Sequence, residues 1–117
     1  MNLIRKIVFA IEESDDELQC DQIQIDGFKP EQIAYHCELL NDAEFVVARD
    51  DSHLGSPYTE LSIFRLKSAG HDFADAARND TIWKKTMNKI SKTVGGVSIE
   101  IMTACLKTQI KEQLGIG

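Results

Sequence analysis

Apolar side chains recur along this chain at two periods, and each change of period marks an element. Leu3, Ile4, Ile7, Val8 and Ile11 form one stripe at helical spacing. That predicts a helix from Leu3 to Glu13, with Asn2 as its cap. Ser14-Asp15-Asp16-Glu17 is a polar break. Ile23 and Ile25 then alternate with Gln22, Gln24 and Asp26, which predicts a short half-buried strand ending at Asp26-Gly27. Pro30 suits the first position of a helix, where its missing N–H costs nothing, and Glu31 complements the helix dipole in the first turn. Ile33, Cys37 and Leu40 fall on one face of that helix, which closes at Asn41-Asp42. Phe45 to Arg49 reads as a strand, and a return strand reaches Leu66 from Tyr58 or Glu60. The turn-rich loop Asp50 to Pro57 joins the two into a hairpin. With the Ile23–Ile25 segment the hairpin makes a small three-stranded antiparallel sheet, because an isolated hairpin is marginal.

The remainder reads as helical. Ser68 is a candidate cap for a helix through Phe73, Ala76, Ala77 and Arg78. Asn79-Asp80-Thr81 is either a second cap or a polar turn. Trp83, Met87, Ile90 and Val94 share a face up to the stop at Gly95-Gly96. From Ser98, a last helix carries Ile99, Met102, Leu106, Ile110 and Leu114 on one side, with Ile101 and Cys105 beside them. This stripe packs either on the Leu3–Ile11 helix or on a second copy of the chain, so residues 99–114 are a candidate homodimer surface. The expected organisation is one α+β domain over residues 1–117. Residues 1–66 supply helix, strand, central helix and hairpin, and residues 67–117 supply added C-terminal helices.

The run Ile33-Ala34-Tyr35-His36-Cys37-Glu38-Leu39-Leu40-Asn41-Asp42-Ala43-Glu44-Phe45-Val46 resembles the recognition helix and first wing strand of winged-helix domains. A wider likeness adds Leu3-Ile4-Arg5-Lys6-Ile7, Arg65-Leu66, and the block Gly70-His71-Asp72-Phe73, Asp75-Ala76, Arg78 and Thr81-Ile82-Trp83. Together these resemble a family of uncharacterised small proteins common in phages and prophages. The resemblance implies a winged-helix fold and carries over no catalytic residue. Two positions depart from the family pattern. Glu44 stands where the turn after the central helix usually has Gly, and Lys67 where the residue after Arg65-Leu66 is usually Thr. The first predicts a different helix exit, since positive φ is disfavoured for a residue with a Cβ. The second moves the expected cap to Ser68. The segment before Pro30 is too short of helical stripe to supply a full second helix.

Charge decides which functions this fold admits. The net charge of −6 conceals a division: residues 1–60 hold 14 acidic side chains against 4 basic ones, residues 61–117 hold 5 against 9. The residues expected on the exposed side of the central helix are Glu31, Gln32, Tyr35, His36, Glu38, Asn41 and Asp42, none of them basic. A helix laid in the major groove needs Lys or Arg for phosphates. Carboxylates within a Debye length of about 8 Å are repelled. The pattern therefore favours a protein partner with a basic surface, met by Glu31, Tyr35, Glu38, Asp42, Glu44, Asp50 and Asp51. A DNA-binding regulator is the alternative, with Lys84, Lys85, Lys89 and Lys92 as the candidate nucleic-acid contacts.

No enzyme is expected. His71, Asp72 and Asp75 are near neighbours, but His71 and Asp75 have the i, i+4 spacing of an ordinary helix pair. There is no phosphate-binding glycine loop, no readable nucleophile–base motif, and no spacing suited to a metal, so neither cofactor nor metal is expected. Cys20, Cys37 and Cys105 form no CxxC motif. With no signal peptide and no apolar run near a bilayer span, a reducing bacterial cytoplasm is the expected setting.

Overall fold

The computed structural model of the chain describes residues 2–14, 16–91 and 99–114. The elements are α1 (Asn2–Glu13), β1 (Leu18–Gln19), a 3₁₀ turn (Cys20–Gln22), α2 (Pro30–Asp42), β2 (Val46–Asp50), β3 (Leu61–Leu66), α3 (Ser68–Ala77), α4 (Asp80–Ser91) and α5 (Ile99–Leu114). The architecture is α+β, with a small antiparallel sheet in the order β1-β3-β2. Two compact units are present, Met1–His71 and Asp72–Gly117, and the boundary falls within α3.

In the first unit the α1 stripe Leu3, Ile4, Ile7, Val8 and Ile11 is buried, as its spacing predicts. From α2 come Ile33, Ala34, Cys37 and Leu40, and from the sheet Val46, Leu61, Ile63 and Leu66. Asn2 is the first helical residue of α1 rather than its cap. Pro30 opens α2, and the Gln32 side chain accepts the Lys29 N–H at 2.8 Å, which satisfies the donor just outside the helix.

The third strand is not where alternation placed it. β1 is Leu18–Gln19, paired with Ile63 and Ser62 of β3. Ile23 is buried and Gln22 and Gln24 are exposed, so the alternation of exposure is real. Gln22 closes the 3₁₀ turn and Ile23 leaves it with extended backbone, but the segment joins no ladder, because β2 and β1 already occupy the two edges of β3. A turn closed by Phe28 N–H to Ile25 C=O ends the segment, with Gly27 at φ 87°. A single 3₁₀ turn stands where the sequence lacks a second helical stripe.

The exit from α2 also differs from expectation. Glu44 keeps the left-handed conformation, at φ 59°. Its N–H donates to Asn41 C=O at 3.1 Å, and the Phe45 N–H reaches back to Leu40 C=O at 2.9 Å. This is a Schellman closure, completed by the buried pair Leu40 and Phe45. The bonds and the burial of Phe45 hold a strained glutamate where glycine fits. Glu44→Gly should therefore stabilise the chain by about 0.5–1 kcal/mol. Glu44→Ala should not, because it keeps the strain and loses only an exposed ion pair to Lys67 at 3.9 Å. Urea melts of the two variants separate strain from charge.

The Phe45 carbonyl joins this exit to the next helix. It accepts the Lys67 N–H at 2.8 Å, and the Lys67 carbonyl accepts His71 N–H at 2.9 Å as α3 begins. Lys67 is thus the capping position and Ser68 the first helical residue, one place earlier than the sequence suggests. Gly70 lies against the same carbonyl: a Cβ there would overlap the Phe45 oxygen and stand 3.1 Å from Leu66 Cδ2.

In the second unit Phe73, Ala74, Ala76, Ala77, Ile82, Trp83, Met102 and Leu106 are buried. The Phe73 and Trp83 rings meet edge to face at 6.1 Å. Asn79 is a true cap: its Oδ1 accepts Ile82 N–H at 3.1 Å, so Asn79-Asp80-Thr81 starts a new helix. The buried face of α4 is centred on Ile82, Trp83 and Thr86, with Met87 and Ile90 only half-buried. Thr86 reads as polar, yet its hydroxyl donates to Ile82 C=O at 2.8 Å and so tolerates burial. α4 packs on α5, where Met102, Thr103, Leu106 and Gln109 are buried and Ile101 is exposed. Lys92, Val94, Gly95-Gly96 and Ser98 lie outside the described residues, as do the side chains at positions 99 and 114.

Candidate functional site

α2 carries its polar residues on a face set by the burial of Ile33, Ala34, Cys37 and Leu40 on the other. Glu31, Tyr35, Glu38 and Asp42 follow at i, i+4, i+7 and i+11, so one stripe of the helix holds all four. Glu31 and Asp42 are exposed, and Tyr35 is 58% exposed, a large value for an aromatic ring. The ring is braced at one edge by His36, with centroids 5.6 Å apart and planes at 88°. His36 is itself fixed through Nδ1 to the Gln32 carbonyl at 2.7 Å. The result is an oriented aromatic flanked by carboxylates on its own helix.

Glu38 is half-buried and accepts the Thr59 hydroxyl at 3.2 Å. That contact ties the stripe to the loop between β2 and β3. The loop is internally bonded. Asp51 N–H donates to Glu60 C=O at 2.7 Å, Glu60 N–H to Ser52 Oγ at 2.8 Å, and His53 N–H to Ser56 Oγ at 2.9 Å. A turn closed by Ser56 N–H to His53 C=O, with Gly55 at φ 95°, puts Leu54 fully exposed at the tip. His53 Nδ1 also lies 3.4 Å from a Glu60 carboxylate oxygen.

The other acidic candidates are placed differently. Glu44 stands past the end of α2, opposite Lys67. The Asp50 carboxyl is held below its ordinary range by hydrogen bonds from the hydroxyl and N–H of Ser52. Asp51 takes two bonds from Arg49, at 2.7 and 3.2 Å, and one from the Ser62 hydroxyl. Arg49 reaches Glu17 as well, at 3.3 Å, and its guanidinium lies 5.4 Å from the Phe64 ring centre. Phe64 is the extra residue of a β-bulge: Val47 faces Arg65 while Ala48 faces Ile63. Asp51 is therefore a structural member of the hairpin, its charge already met by Arg49. Of the seven acidic-surface candidates, Glu31, Tyr35, Glu38 and Asp42 form one surface, whereas Glu44, Asp50 and Asp51 each serve a local contact.

The Asp51 carboxyl lies below its ordinary value chiefly because Arg49 donates to it, then because Ser62 does. A depressed folded value gives a contribution present above the unfolded range of about 4 and lost as pH falls through the folded value. Arg49→Ala should move the Asp51 carboxyl midpoint upward in a carboxyl NMR titration; an unmoved midpoint would count against the Arg49 bond as the main cause. Asp75 is paired with Arg78 at 2.9 Å and Asp72 with Lys107 at 3.4 Å. His71 is exposed.

Among the described residues, no group of three His, Cys, Asp or Glu is arranged to hold a metal. No helix there is long and apolar enough to cross a membrane. Lys84, Lys85 and Lys89 are exposed on α4, whereas Lys92 lies outside the described residues. Sequence reasoning missed Thr59, Leu54 and the Arg49–Asp51 lock. An apolar residue between His53 and Gly55 was the visible signal for Leu54.

No solved structure matches the chain. A relative from Haemophilus influenzae, described as an uncharacterized protein, is 30% identical over 117 residues, covering 97% of this chain and 95% of its own length. Residues 1–98 match the family model described as "Hypothetical protein (DUF2513)". The chain belongs to the DUF2513 family.

Proposed function

We propose that the protein is a non-enzymatic interaction module of winged-helix type, phage- or prophage-like in character and working in the bacterial cytoplasm. It binds a protein partner with a basic surface. The element order helix, strand, turn, helix, strand, strand and the sheet order β1-β3-β2 support the winged-helix reading. In that reading α2 is the recognition helix, the 3₁₀ turn replaces the helix that would brace it, and the loop tipped by Leu54 is the wing.

The observation that carries the proposal is the stripe Glu31, Tyr35, Glu38 and Asp42, which contains no Lys or Arg. A phosphate backbone is repelled by such a stripe, while a cationic protein surface is attracted, with Tyr35 as the aromatic anchor. Capture from bacterial lysate with and without nuclease tests this. The expected bound species is a protein that nuclease treatment does not release. Loss of all bound material on nuclease treatment would contradict the proposal.

A DNA-binding regulator is the second reading, favoured by the exposed Lys84, Lys85 and Lys89 on α4. It predicts retardation of duplex DNA that weakens steeply with salt and is lost when those lysines are changed to Glu.

A further inference from the structure

The loop between β2 and β3 holds out a leucine at its tip. Leu54 is fully exposed, at the corner of a turn in which Gly55 takes the positive φ, 95°, that a type II turn requires. A singly exposed leucine is ordinary. This one is held in place. Ser56 N–H donates to His53 C=O and His53 N–H to Ser56 Oγ, both at 2.9 Å. Nearer the strands, Ser52 N–H donates to Asp50 Oδ1 at 2.9 Å and Glu60 N–H to Ser52 Oγ at 2.8 Å. These bonds fix both arms of the loop, so the backbone that carries Leu54 has little freedom left to lose on binding.

Charge narrows what can receive that side chain. Residues 50–60 contain Asp50, Asp51 and Glu60 and no Lys or Arg. Such a loop is repelled by phosphate backbones and by anionic membrane surfaces. A protein pocket with an apolar floor and a basic rim is complementary to it. The loop is also close to α2. Thr59 reaches Glu38 at 3.2 Å, and the five residues of chain from Thr59 to Leu54 span at most about 18 Å. A standard interface covers about 800 Å² per partner, a patch roughly 30 Å across. Leu54 and the Tyr35 stripe thus lie within the reach of one partner.

We propose that Leu54 is a second anchor for the protein that α2 binds, seated in an apolar pocket that basic side chains of that partner surround. The inference rests on the reading of α2 as a protein-binding helix. It adds the chemistry of the partner: a cationic surface with an apolar hole in it, rather than a uniformly charged one. The two contacts then respond differently to salt. Attraction to the α2 carboxylates is screened, whereas burial of a leucine is not.

The test uses the full chain carrying a benzophenone amino acid at position 35 or at position 54, irradiated in nuclease-treated bacterial lysate, with each adduct identified by mass spectrometry. The same protein should be linked from both positions. Below saturation, Leu54→Ser should cut the adduct formed from position 35 about 10- to 100-fold, and Leu54→Met should restore it. The loss should persist in high salt, and the melting temperature should not move, since Leu54 is fully exposed. An adduct from position 35 that Leu54→Ser leaves intact would overturn the inference. So would a link from position 54 only to a different protein, to a second copy of the chain or to lipid. Each of these leaves the reading of α2 standing. No protein adduct from position 35 would remove that reading, and this inference with it. The serine comparison decides the inference even if the bulky group at position 54 does not fit the pocket.

Discussion

Replacing Gly70 with alanine lowers the melting temperature by about 10 °C, a loss of roughly 2–3 kcal/mol. Helix propensity alone gives the opposite sign, since alanine in a helix is favoured over glycine by up to about 1 kcal/mol. The steric argument wins because the obstacle is backbone. The new methyl would overlap the Phe45 carbonyl oxygen, which cannot retreat without loosening its bond from the Lys67 N–H. Phe45 is further pinned by its own N–H to Leu40 and by burial. One residue thus sets the distance at which α3 starts beside the exit of α2. Differential scanning calorimetry of Gly70→Ala gives the sign directly. A stable, unshifted transition would show that the Phe45–Lys67 crossing is looser than described.

Charge reversal at both Glu31 and Asp42 weakens partner binding by roughly 10- to 100-fold at low salt while leaving the melting temperature unchanged. Both side chains are exposed, and α2 draws its stability from the other face. The effect should shrink as salt is raised, because exposed charges are screened over about 8 Å at physiological ionic strength. Glu38 is the wrong residue for this test, since its carboxylate is also the acceptor for Thr59 and its loss disturbs the loop. Asp51→Lys should instead destabilise the hairpin, because it strands Arg49 and the buried Ser62 hydroxyl. Isothermal titration of the captured partner against both variants separates a binding charge from a structural one.

The helices and the hairpin were legible because each states its period plainly. Leu3 to Ile11 and Ile33 to Leu40 repeat at helical spacing, and Phe45 and Leu66 bracket two β-type runs. The third strand was not legible. Alternation around Ile23 reports which side chains are buried, whereas pairing depends on which edge of β3 is vacant, and Leu18-Gln19 takes it. The face of α4 was shifted for a related reason. Thr86 satisfies its hydroxyl within its own helix, a bond that composition does not display. Glu44 shows the limit of propensity, since the buried Phe45 and two backbone bonds outweigh the strain of one left-handed residue.

The candidate surface was half legible. The spacing of Glu31, Tyr35, Glu38 and Asp42 defines a stripe on any helix, and Pro30 fixes where that helix begins. Asp51 looked equally available, but its fate depends on Ser62 from the neighbouring strand and on the reach of Arg49. Sequence order gives no sign of the Ser62 contact, and the two-residue spacing of Arg49 and Asp51 does not by itself show that their side chains meet.

The most direct measurement is photo-crosslinking from a benzophenone amino acid placed at position 35, in nuclease-treated lysate, with the same group at position 85 as comparison. The account predicts a covalent protein adduct from position 35 that charge reversal at Glu31 and Asp42 removes, and none from position 85. Adducts formed from position 85 alone, or to nucleic acid in lysate left untreated, would contradict it.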